Sequence, residues 1–128
     1  MAHDIHHLHL VKELAEQLEP VFSHSPQGVY LYLDDEHKTC NKKFADMIGY
    51  STPAEWVANQ YPISDVVEED QEKGIKAYMD ASRNFKASSL PLTYTRKGGK
   101  KIHVQITLVP ISYKGEVFVL HFISPKDK

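Results

Sequence analysis

Between Ile5 and Glu19 the apolar residues Leu8, Val11, Leu14, Ala15 and Leu18 recur at steps of three and four, with Lys12, Glu13, Glu16 and Gln17 between them. That spacing gathers them on one stripe and predicts an amphipathic helix. Pro20 and the stretch SHSPQG at 23–28 end the pattern, since proline and glycine punctuate regular structure. In GVYLYLDD the period changes: Val29, Leu31 and Leu33 alternate with Tyr30 and Tyr32, which predicts a strand covered on both faces. The acidic turn DDEH then reverses the chain into a brief strand around Lys38 to Cys40.

A short helix follows, with a residue suited to start it and another suited to stop it. The Asn41 side chain can accept the backbone N–H of Lys43 or Phe44, and Gly49 can take the left-handed conformation that closes a helix. Only about two turns fit between these structural caps, too few to stand alone in water. Phe44, Met47 and Ile48, at i, i+3 and i+4, must therefore press against the rest of the fold. TPAEWVAN predicts a second short helix through a capping box, with Thr52 as cap, Pro53 at the first position and Glu55 at the third. EEDQEKGIKAYMDASRN predicts a third and longer one, acidic at its start, with Ile75, Tyr78 and Met79 on its apolar stripe.

The last third alternates at period two. LPLTYT, KIHVQITLVPI and VFVLHFIS, separated by KGGK and SYKGE, predict a three-stranded meander. Ile102, Val104, Ile106 and Leu108 share one face of its middle strand. VFVLHFI is apolar on nearly both faces, so the outer side of the sheet needs a cover, and the first helix, the chain's own or a partner's, supplies it.

Composition narrows the function more than it names it. The 128 residues suit one domain with a real core. A formal charge of −2 gives no electrostatic reason to expect nucleic acid or an anionic membrane, and no stretch approaches the roughly 20 apolar residues of a membrane span. Cys40 is the single cysteine and MAHDIHHLHL lacks a signal-peptide pattern, so a cytoplasmic protein is expected. Among His3, His6, His7 and His9, the pairs His3/His7 and His6/His9 have helical spacings that can chelate a metal. Beyond Asp4 no further ligand completes either pair locally, and no metal site is assigned. The paired acids Asp34-Asp35 and Glu68-Glu69-Asp70 fall in a turn and at a helix start, where local backbone chemistry explains them. His121 has no acid tied to it by spacing. No catalytic residue is assigned and no enzyme is expected.

Asn41 opening a short helix, Phe44 three residues on, "GYS" at its end, then "PAEW", "EED" before the long helix and "TRKGGK" before the middle strand resemble, in their order and spacing, a PAS (Per-Arnt-Sim) domain. The resemblance covers about Gln27 to Ser124 and divides the chain into an N-terminal helix and linker (1–26), a PAS domain (27–124) and a tail (125–128). It departs at Gly98-Gly99, where the family usually has Asp-Gly, and at SPKDK, where an Asp-Ile-Thr often leads to an effector; a free-standing single-domain form is the expectation. The resemblance implies an α+β fold: a five-stranded antiparallel sheet in the order 2-1-5-4-3 with short helices on one face, and a pocket between them. It implies signal sensing and dimerisation.

The expected pocket is lined by Met47, Ile48, Met79, Ile106, Leu108, Phe118 and Leu120, and either takes a small apolar ligand or is filled by these side chains. Haem is disfavoured because no histidine lies between His37 and His103 to ligate iron from the long helix. Photoactive flavin is disfavoured because Cys40 precedes Asn41 on the wrong element, and Trp56 reads as a packing anchor. The expected dimer contact is Leu8, Val11, Leu14, Leu18 and Phe22, and the expected partner a separate effector such as a sensor kinase. Two alternatives stand beside the sensor: a protein–protein adaptor with a filled core, and a small pocket enzyme of the ketosteroid-isomerase type.

Overall fold

The computed structural model describes residues 2–126, with side chains from His6 onward. Helix α1 (Ala2–Gln17) leads through α2 (Glu19–His24) to strands β1 (Gly28–Asp34) and β2 (His37–Cys40). The short helices α3 (Lys42–Ile48) and α4 (Pro53–Val57), a 3-10 turn (Pro62–Asp65) and the long helix α5 (Glu68–Asn84) precede β3 (Ser88–Thr95), β4 (Lys101–Tyr113) and β5 (Glu116–Pro125). All strand pairs are antiparallel, in the order β2-β1-β5-β4-β3. This is the expected α+β sheet. Pro20 does not end helical structure but sits in the first turn of α2, where a missing N–H removes no helical hydrogen bond.

The central strands carry apolar residues on both faces, so the sheet supports two cores. On the inner face Phe44, Ile48, Trp56, Ala77 and Ala81 of the helices meet Leu92, Val104, Ile106 and Leu108. On the outer face Leu10, Val11 and Leu14 of α1 cover Val29, Leu31, Phe118 and Leu120. Leu18 and Phe22 pack against the margin of this second core. The stripe expected to bind a second copy therefore lies against the chain's own sheet, and of its five residues only Leu8, 48% exposed, faces solvent. The physical reason is proximity: a short linker presents α1 to the uncovered outer face at high effective concentration, and two apolar surfaces so tethered close on each other.

Phe118 and Leu120 also differ from expectation, because they belong to the outer core. Pairing of β4 with β5 sets Leu108 opposite His121 and Val109 opposite Leu120. Directly opposed residues share a face, so His121 joins Leu108 on the inner side and its neighbour Leu120 points the other way. An apolar stretch without alternation, such as VFVLHFI, carries no sign of which half faces in.

Helix α5 meets the sheet through small residues. Its buried positions are Ala77 and Ala81, and a Cβ added at Gly74 would touch Leu92 and Ile63 at 3.7 and 3.8 Å. Met79 is 37% and Ile75 44% exposed. Selecting the largest apolar side chains misplaced the stripe by part of a turn, because a helix lying close on a sheet needs side chains that allow its backbone to approach.

Candidate functional site

Asn41 does more than cap a helix. Its Oδ1 accepts the Phe44 N–H at 2.9 Å, as the sequence suggests, and also the Val29 N–H at 3.0 Å. Its Nδ2 donates to the carbonyls of Phe22 and Gln27, each at 3.2 Å. One buried side chain thereby joins α2, the following linker, β1 and α3. At the other end of α3, Gly49 has φ of 95°, and a Cβ there would lie 2.9 Å from the Lys97 backbone nitrogen. The β3–β4 turn closes against this end: Arg96 Nε donates to Met47 O at 3.0 Å, its Nη2 to Asp46 O at 2.9 Å, and the Lys97 N–H to Ile48 O at 2.9 Å. The TRKGGK turn is thus the C-terminal cap of a helix nearly fifty residues earlier. The α4 cap forms as read from sequence, with Thr52 Oγ1 accepting the Glu55 N–H at 3.1 Å, while the Glu55 carboxylate accepts the Ser51 N–H at 2.7 Å.

So fixed, α3, α4 and α5 stand off the inner face of the sheet and leave a partly open cavity of about 110 Å³. Its walls are aromatic: Tyr30 and Tyr32 of β1, Phe44, Trp56, Tyr78 and Tyr94, with His121 on the floor. His121 stacks on Tyr30 with ring centroids 3.9 Å apart and planes at 13°. Burial pushes the His121 imidazole down to a pKa of about 3, so the ring is neutral, and its Nδ1 lies 3.1 Å from Val119 O. The tyrosine hydroxyls already have partners. Tyr30 and Tyr94 hydrogen-bond each other, Tyr32 donates to the Asp35 carboxylate, and Tyr78 donates to Leu33 O at 3.0 Å. Desolvation raises all four above the ordinary phenol value, so they stay protonated. Asp35, at the end of the lining nearest the β1–β2 turn, is the charged residue among those that border the cavity.

Of the residues expected to line a pocket, Ile106 and Leu108 do so. Ile48 lies wholly within the inner core and Met47 packs at its edge, close to Gly28. Met79 faces solvent, and Phe118 and Leu120 face α1. Tyr30, Tyr32, Tyr78, Tyr94 and His121 are not among the residues expected to line a pocket, although Tyr78 is read on the α5 stripe and His121 is weighed as a lone base. The alternation of Tyr30 and Tyr32 against Val29 and Leu31 carried the signal for two of them; His121 required the strand register. Cys40 is buried, its thiol pushed up to about 12 by desolvation, and it does not border the cavity. At about 110 Å³ the cavity is on the scale of the roughly 150 Å³ that binds one benzene, so neither a haem nor a flavin fits the residues as they stand.

Lys38 is a second feature the sequence hid. Only 4% exposed, it donates to the carbonyls of Asp35, Val57 and Asn59, the last two at 3.0 and 2.8 Å, and its Nζ lies 5.4 Å from the Trp56 ring centroid. Burial lowers its pKa. The ammonium ties the β1–β2 hairpin to α4 and holds Trp56 at the cavity wall.

These features together define a small α+β domain whose sheet carries a helix-roofed cavity. A family profile described as PAS domain matches residues 26–124, and the chain belongs to that family of sensory modules. The PAS domain of an HTR-like protein from Haloarcula marismortui is similar, with TM-score 0.67 and 19% identity over 91% of this chain and 94% of that one. A PAS domain from a two-component sensor histidine kinase aligns with TM-score 0.67 and 14% identity, covering 90% of this chain and 99% of its own. A LOV protein from Rhodobacter sphaeroides reaches TM-score 0.71 at 17% identity, covering 91% of this chain and 69% of its own. At these identities the likeness is one of fold, and it is to PAS domains rather than the ketosteroid-isomerase type. No curated protein matches the chain. No helix among the described residues is long and apolar enough to cross a membrane.

Proposed function

We propose that the chain is a PAS sensor whose input is an uncharged molecule no larger than a single ring, held against the wall that Trp56, Tyr30 and His121 form together. The observation that carries this reading is the cavity itself: about 110 Å³, aromatic-walled, with its hydroxyls already paired. The lining residues include no lysine or arginine to balance an anion, and Asp35 repels one. Stacking and apolar contact are what the walls offer. Output follows from alternation in the central strands. Tyr30 and His121 face the cavity, while Val29, Leu31 and Leu120 on the same two strands face α1, so a shift of either strand is felt on both sides. The receiver is a separate effector protein, in keeping with the kinase origin of one structural neighbour. Catalysis has no support in the lining, where a neutral His121 lacks an acid to orient it.

Phenol and benzene, titrated separately into the purified chain while Trp56 fluorescence is followed, test the reading. A saturable change that Leu108→Phe abolishes, with native mass spectrometry showing one ligand per chain, is the expected result. Absence of any saturable change across such single-ring compounds would leave the filled-core adaptor as the better description.

A further inference from the structure

The histidines near the N-terminus do not act as a group. His6 and His9 are exposed and the His3 side chain lies outside the described residues, whereas His7, four residues before Val11, is carried on the buried stripe of α1 to the turn end of the β1–β2 hairpin. There its ring meets that of His37 edge to face, centroids 5.4 Å apart. Both histidines are about nine-tenths buried. Asp34 stands beside them, its Oδ1 2.7 Å from His37 Nδ1 and accepting the Glu36 N–H at 2.9 Å, which fixes the carboxylate in the turn. From the start of β5, Glu116 places Oε2 3.3 Å from His7 Nε2.

We propose that His7, Asp34, His37 and Glu116 form a binding site for a divalent transition-metal cation of the zinc type. Donor atoms of His7, Asp34 and His37 all lie within 4.8 Å of one another. A tetrahedral centre with metal–donor bonds of about 2.0–2.1 Å holds its donors roughly 3.4 Å apart. The His7–Glu116 spacing of 3.3 Å already has that value, and the Asp34 side chain, half exposed, leaves an entry path. Two imidazole nitrogens with two carboxylates suit zinc, nickel or copper rather than magnesium or calcium, which favour all-oxygen shells. Two carboxylates also neutralise a divalent cation, which a largely buried site requires. The four residues come from α1, the β1–β2 hairpin and β5, so the bound ion fastens the covering helix to the sheet. None of this depends on the cavity having a ligand.

Zinc chloride alone, titrated calorimetrically into the metal-stripped full chain, is the probe, with cobalt(II) absorption reporting tetrahedral geometry. One ion per chain, an intense cobalt spectrum and a raised Tm through linkage are expected. Losing even an outer-shell partner weakens metal binding about 10–100-fold, so Asp34→Asn and His37→Gln should each weaken it at least tenfold, while the His6→Asn/His9→Asn double variant retains it. Should His37→Gln fail to fold by circular dichroism, the half-exposed Asp34 carries the test alone. The proposal is overturned if zinc does not bind, or if binding survives Asp34→Asn and disappears with His6 and His9. In the second case the exposed terminal histidines hold the ion.

Discussion

Asn41 shows how much one amide can join. Both of its functional atoms are committed inside the fold, two N–H groups donating to Oδ1 and two carbonyls accepting from Nδ2. Truncation to alanine strands buried donors, and an unsatisfied buried group costs about 1–3 kcal/mol. Asn41→Ala should therefore lose roughly 3 kcal/mol by urea denaturation, more than the ~1 kcal/mol of an ordinary N-cap. Asn41→Asp keeps the acceptor and loses the donors, so it should fall between. A loss no larger than that of a simple cap for Asn41→Ala would mean that the links to Phe22, Gln27 and Val29 contribute little. The capping role was legible in the sequence because its partner lies three residues away. The other partners, 12 to 19 residues distant, were not, since nothing local announces them.

Among the elements, α5 is the one whose buried face depends on what is missing from its side chains. Gly74, Ala77 and Ala81 bring the helix close to β3 and β4, and the bulkier Ile75 and Met79 remain at or near the surface. Overpacking so close a contact costs about 1–3 kcal/mol. Ala81→Leu should destabilise by that amount, while Met79→Gln should stay within about 0.5 kcal/mol. Thermal melts of the two variants distinguish this packing from the one expected from apolar periodicity, which reverses their ranking. Helix α1 illustrates the complementary case. Its apolar period was plain in the sequence, but the same stripe can cover the chain's own sheet or another's, and the pattern alone does not choose.

For the molecule as a whole, the neutral imidazole at the centre links stability to pH. His121 has a pKa of about 3 in the fold, against about 6.5 in an unfolded chain. Between those values the unfolded state binds a proton that the folded state refuses, so stability is fully present above about pH 6.5 and declines as the pH falls toward 3. The steepest slope from one such group is about 1.4 kcal/mol per pH unit. Denaturation of the native chain and of His121→Gln between about pH 4 and 7 should show the variant losing less stability on acidification. Parallel profiles would place the acid sensitivity in other groups. His121 also stacks on Tyr30, so its protonation would disturb the floor of the proposed ligand site along with the core.

By itself the sequence determined the five strands, the helices other than α2, their order, the helix caps and the PAS resemblance, because periodicity, capping and turn chemistry act over a few residues. It also determined that the sheet must be covered on two sides. Tertiary structure alone decided which side each residue of the apolar last strand takes, since a two-residue period with no polar partner leaves the register unmarked until β4 sets Leu108 against His121. It decided that α1 folds back on its own sheet, and that small residues rather than large ones seat α5. It also assembled the aromatic cavity and the His7–Asp34–His37–Glu116 cluster from positions far apart in the chain. Those groupings depend on strand pairing and helix docking, and no local pattern carries them.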